Sequence, residues 1–154
     1  TTTDPRLAAL LQDPLWQPVL VFPQDYAAPE RVVHALPPAP AGRRPLFILL
    51  DGTWSEARKM FNKTPLLDRL PVLHVAPGQA APYLLRRAQR SDQFCTSEVA
   101  AQCLALAGDQ HAAQLLQAWL GVFTHHHLQA RHQLPPDLQG AAHLALREAV
   151  GQTS

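Results

Sequence analysis

A chain of 154 residues corresponds to about one domain and is long enough to bury a core. At 47% hydrophobic and 16% charged, with a net charge of +1, its composition is that of an ordinary globular protein apart from 15 prolines. No run approaches the ~18 consecutive apolar residues of a membrane span, and the N-terminal "TTTDPRLAAL" lacks the charged-then-apolar layout of a secretion signal, so a soluble, cytoplasmic protein is expected.

In chain order, "DPRLAALLQ" reads as a short helix with Asp4 as its cap and Pro5 at its first position. "PVLVF" (18–22) reads as a buried strand ended by Pro23, and "LPPAPAGRRP" (36–45) as a loop, since its prolines and Gly42 defeat both helix and sheet ladders. "LFILL" (46–50) is the second strand and "VLHV" (72–75) the third. Runs that are apolar on all sides suit a parallel sheet covered on both faces. "PGQAAPYLLRRAQRSDQF" (77–94) is a long connection with a basic centre, the kind of segment that carries function. Beyond it the pattern is helical. Val99, Cys103 and Leu106 fall at i, i+4 and i+7, as do Leu115, Trp119 and Val122, with Leu116, Leu120 and Phe123 beside them, which predicts a broad core-facing stripe. "GAAHLALREAV" is a last helical segment. No repeat or composition break divides the chain, so one α/β domain is expected over 1–154. Cys95 and Cys103, eight apart, are unsuited to a short disulfide or a CxxC metal site and read as small core or loop residues.

The chemistry concentrates after the second strand, in "DGTWSEARKMF". Thr53 and Glu56 have the spacing of a capping box, which starts a helix at Trp54 and carries it to about Asn62 before Thr64-Pro65 stops it. Gly52 allows the sharp turn, and Asp51 sits at the strand's C-terminal end, the edge where ligands bind in parallel α/β sheets. The N–H groups of the first helical turn favour an anion such as a ligand carboxylate. Asp51 can act as a general base there or simply finish the turn. Trp54 can stack on a nucleobase or pack in the core, and spacing alone favours the core. From Ala57 to Arg90 seven basic residues face Asp68 alone, a local excess of six charges, and Arg58, Lys59, Arg87 and Arg90 are the expected RNA phosphate contacts. In "THHHLQARH" (124–132) three adjacent histidines on one helix point in different directions, and no metal site is expected.

"DGTWSEARKM" resembles the signature of the DTW-domain family. "YLLRR" (83–87), "FCTSEVAA" (94–101) and "VFPQDYA" (21–27) resemble three further family elements in the same order, so that roughly residues 15 to 107 lie in register. The resemblance implies a tRNA-uridine aminocarboxypropyltransferase related to the SPOUT methyltransferases, with their α/β-knot architecture. Such an enzyme moves the 3-amino-3-carboxypropyl group of S-adenosylmethionine to N3 of a tRNA uridine. It makes Asp51, Thr53 and Trp54 the signature catalytic residues. It also places Phe22, Pro23, Leu50, Asp51, Gly52, Thr53, Leu85, Arg86, Thr96 and Glu98 around the cofactor. Cys95 stands where the family commonly has serine and Val99 where it has alanine. The family's upstream segment, with its cysteine pairs, has no counterpart in this sequence, and no zinc site is expected. Methyl transfer on the same fold and a non-catalytic RNA-binding module are the competing readings; Asp51, Thr53 and Glu98 together favour an enzyme.

Overall fold

In the computed structural model, which describes residues 4–75 and 96–151, the first helix starts where its cap dictates. The Asp4 side chain accepts the Arg6 N–H at 2.8 Å and Pro5 opens α1 (Pro5–Gln12). The chain then alternates short strands with turns: β1 (Trp16–Val21), β2 (Val32–Val33), β3 (Arg44–Leu49), helix α2 (Trp54–Lys63) and β4 (Val72–Leu73). Three helices follow: α3 (Thr96–Leu106), α4 (Gln110–Arg131) and α5 (Ala141–Gly151). By internal contacts the chain divides into two units, Thr1–Arg87 and Ala88–Ser154.

The first unit is a four-stranded, all-parallel sheet in the order β2-β4-β1-β3. β1 pairs with β3 from Trp16↔Arg44 to Val21↔Leu49, and with β4 at Leu20↔Val72 and Val21↔Leu73. Its central place explains why Val19, Leu20 and Val21 are buried, as an apolar run in a covered parallel sheet must be. Because β4 lies beyond β1 from β3, the β3–α2–β4 connection crosses β1. Accordingly α2 lays Ala57 and Phe61, one turn apart, into a core with Leu20, Phe22, Leu67 and Val72. Each large side chain buried there is worth ~1.5–3 kcal/mol. The Arg31 guanidinium donates to the carbonyls of Leu67 (2.7 Å) and Leu70 (3.1 Å), tying the turn before β2 to the turn before β4.

The expected strands are present with shifted ends. β3 begins at Arg44, inside the expected loop, with Pro45 tolerated because β3 lies at the sheet border. β4 ends at Leu73, although the His74 N–H still donates to the Val33 carbonyl at 3.0 Å. β2 is an addition: two valines give no period to read.

The second unit packs α3 against α4 and α4 against α5. Asp109 caps α4 by accepting the Ala112 N–H at 3.0 Å, and Gly108, at φ +87°, ends the turn before it. Small residues face inward: Ala101 and Cys103 on α3, Ala113 on α4, Ala149 on α5. Burial pushes the Cys103 thiol up to about 12, which fits a small core residue; Cys95 lies outside the described residues. The expected core-facing stripe holds only in part. Val122 is buried, but Trp119 is 56% and Phe123 68% exposed, because a helical period reveals an apolar face without supplying something to cover it.

Candidate active site

Parallel strands end on one side, and the turns leaving β1, β2, β3 and β4 collect there. They carry Phe22-Pro23, His34, Leu50-Asp51-Gly52 and His74 respectively. The turn after β3 is the most constrained. Gly52 has φ +149°, a region nearly closed to other residues, and a Cβ added there would stand 3.2 Å from Glu56 Oε2 and 3.3 Å from Glu56 Cβ. Leu50 is half-buried against the core, whereas Asp51, Gly52 and Thr53 are exposed.

Thr53 closes the turn through the expected capping box. Its N–H donates to Glu56 Oε2 at 2.8 Å, its hydroxyl donates to the same oxygen at 2.6 Å, and its Oγ1 accepts the Glu56 N–H at 3.4 Å. The Thr53 hydroxyl first, and its backbone N–H second, hold the Glu56 carboxyl below its ordinary 4.5. The helix start therefore already contains an ionised carboxylate, which competes with any ligand carboxylate for the same positive dipole end.

The aromatic residues resolve as packing. The Phe22 ring lies between Trp54 (5.5 Å between centroids, 8° between planes) and Phe61 (4.6 Å, 13°). Tyr26 meets Trp54 edge-on at 5.3 Å, and the Arg58 guanidinium stands 5.2 Å over the Tyr26 ring. Phe22 is buried; Trp54 is half-buried, with one face on Phe22. The outer side of α2 bears an open groove lined by Trp54, Ser55, Arg58, Lys59, Asn62 and Lys63. It thus combines three cations with the rim of one indole.

Phe22, Pro23, Leu50, Asp51, Gly52, Thr53 and Trp54 thus gather at one edge of the first unit, with Arg58 and Lys59 on the adjoining helix face. Thr96 and Glu98, both half-buried, open α3 in the second unit. Leu85, Arg86, Arg87, Arg90 and the Pro77-Gly78 turn lie outside the described residues, as does the whole 76–95 connection on which a knot would depend. Sequence reading did not single out His34 and His74, which follow β2 and β4. Their rings meet edge-on at 6.1 Å, and His74 Nδ1 accepts the Gln24 N–H at 3.4 Å. The available signal was a histidine directly after each short pair of apolar residues.

Among the described residues no helix is long and apolar enough to cross a membrane, and no three or more His, Cys, Asp or Glu side chains are grouped to hold a metal ion.

An all-parallel α/β sheet whose strand-end turn reads Asp-Gly-Thr-Trp defines a class, and comparison with known proteins gives the same one: the chain belongs to the DTW domain family, whose model matches residues 1–128. Among curated proteins it is similar to tRNA-uridine aminocarboxypropyltransferase 2 of Drosophila melanogaster, 31% identical over 101 residues. The match takes in 65% of this chain and 37% of that protein, so the chain spans little more than a third of its relative's length. No solved structure matches the chain.

Proposed function

We propose that this chain carries the catalytic domain of a tRNA-uridine aminocarboxypropyltransferase that acts in the cytoplasm on a tRNA uridine. The observation that carries the reading is the Leu50–Thr53 turn. It presents an exposed carboxylate at the strand edge, next to a second carboxylate that the capping box keeps ionised. Family membership and the named relative support it.

The turn fits S-adenosylmethionine in one sense only. Asp51 and Glu56 favour a sulfonium cation, while Glu56 disfavours a carboxylate at the α2 N-terminus. The amino-acid end of the cofactor is therefore assigned to Arg86 for its carboxylate and Glu98 for its amino group, the positions the family resemblance supplies. When bound, S-adenosylmethionine provides an electrophilic carbon next to sulfur, and methylthioadenosine is left after transfer.

The chain's own contribution is a base, a positioned acceptor and a charged surface. The N3–H of uridine is a weak acid and N3 attacks only once that proton is taken; Asp51 takes it. The choice of carbon over methyl rests on orientation rather than reactivity. The Gly52 turn and the Thr53–Glu56 pair keep Asp51 fixed relative to β3. Arg58 and Lys59, with Arg87 and Arg90, meet RNA phosphates.

Mass analysis of tRNA nucleosides after incubation with the protein and S-adenosylmethionine tests the proposal. A uridine heavier by one aminocarboxypropyl group is expected. A methyl gain would make the protein a methyltransferase, and binding without any gain would make it a non-catalytic module.

A further inference from the structure

The histidine run on α4 has no task in the proposed reaction. Taken alone it cannot chelate, because neighbours on a helix diverge, but the fold adds a histidine from another element. His126 of α4 and His143 of α5 approach with their Nε2 atoms 3.1 Å apart, ring centroids 4.9 Å apart and planes crossed at 76°. We propose that His126 and His143 form a two-imidazole site for a divalent first-row transition-metal ion, clamping α5 to α4.

Two features of the contact fit an ion shared by the two rings. Imidazole nitrogens that share a tetrahedral zinc at ~2.0–2.1 Å stand about 3.3 Å apart, close to the spacing seen here. A straight N–H···N bond at this distance would hold the ring centres roughly 5.4 Å apart, since hydrogen bonds prefer linearity. At 4.9 Å the rings instead bend about the contact, as two nitrogens sharing one ion must.

The pair is bordered by a further imidazole, by the Arg147 cation and by one carboxylate, Asp137. The His125 ring lies 5.4 Å from that of His126 and 5.9 Å from that of His143. Asp137, in the α4–α5 loop, has its Oδ2 2.7 Å from where a Cβ on Gly140 would stand, and His125 Cε1 is 3.6 Å from the same point. A carboxylate therefore stands beside the imidazole cluster, and the absent Gly140 side chain leaves it room. Two protein ligands leave the remaining positions to water, so the site is open and its affinity follows the order for nitrogen donors: copper(II) above nickel and zinc, with manganese weak.

Calorimetric titration of the full chain, stripped of metal by a chelator, with zinc, nickel and copper chlorides tests the site. One ion per chain is expected, in the stated order. His143→Gln should weaken zinc binding by roughly tenfold or more, since even outer partners of metal ligands are worth that much. His127→Gln and His34→Gln should leave it unchanged. Imidazole nitrogen NMR of the unaltered protein gives a readout that does not depend on any variant folding: zinc should shift the His126 and His143 Nε2 signals most. Absence of binding, equal affinity in His143→Gln, loss of binding in His34→Gln, or shifts confined to other histidines would each overturn the proposal.

Discussion

At Asp51 the exchange of one oxygen for an amide nitrogen separates two roles. Asp51→Asn keeps the shape of a turn residue and loses the basic site. If Asp51 takes the uridine N3 proton, single-turnover transfer with tRNA and cofactor saturating should fall by about 10²-fold or more. A rate within about threefold of the parent would leave Asp51 as a turn residue only. Gly52 gives a second test of the same turn. At φ +149° a β-carbon costs of order 1–3 kcal/mol, and here it would also crowd Glu56 Oε2 at 3.2 Å. Gly52→Ala should therefore lower the melting temperature by several degrees in a thermal scan, and Gly42→Ala, at φ +85° with nothing within 4 Å of its added carbon, should show the cost of backbone strain without crowding. Much of this turn was legible in advance, because Asp-Gly-Thr-x-x-Glu states its own geometry in six consecutive residues. Less legible was the destination of the Thr53 donors. Spacing shows that Glu56 can reach back, but only coordinates show that one carboxylate oxygen takes both the N–H and the hydroxyl. A ligand anion at this helix end would therefore compete with the Glu56 carboxylate.

At the scale of the element, α2 is an element with two sides and a pH-dependent start. Glu56 is held below its ordinary 4.5, so its contribution to stability is complete above that value and is lost as pH falls through the lower, folded value. Glu56→Gln keeps a capping side chain without the charge. The stability difference between parent and variant, measured by denaturant unfolding, should be largest near neutrality and vanish as the pH is taken from about 5 towards 3. On the outer side, Arg58→Glu with Lys59→Glu should weaken tRNA binding and flatten its salt dependence, each lost phosphate contact removing about 0.7–0.9 from the logarithmic slope. Cofactor affinity should hold. The elements that could be read from sequence, α1, α2 and β1, announce themselves by local caps or by continuous burial. β2 could not be read, since Val32 and Val33 become a strand only because Val72 and Leu73 lie alongside. The α4 stripe was misjudged at Trp119 and Phe123 for the complementary reason: whether an apolar face is covered depends on residues elsewhere.

For the molecule as a whole, the near-zero net charge conceals a basic middle, and the strand-end edge, not the total charge, is the basis of the proposed ligand site. The candidate residues within one turn could be grouped from sequence, and those drawn from separate strands could not: His34 and His74 are forty residues apart and meet only because β2 and β4 are neighbours. The same sheet order has a consequence of another kind. β3 closes one side and, among the described residues, pairs with β1 alone. Its far side offers a row of backbone donors and acceptors along Leu46–Leu49, whose side chains are only half-buried. Arg44 and Pro45 blunt the first rungs of that row and nothing in the strand blunts the rest. During refolding, such a row adds foreign strands as readily as native ones, so the recovered yield should drop with chain concentration and leave β-rich aggregate detectable by infrared absorption. Colloidal behaviour would then be governed by one six-residue border of the sheet.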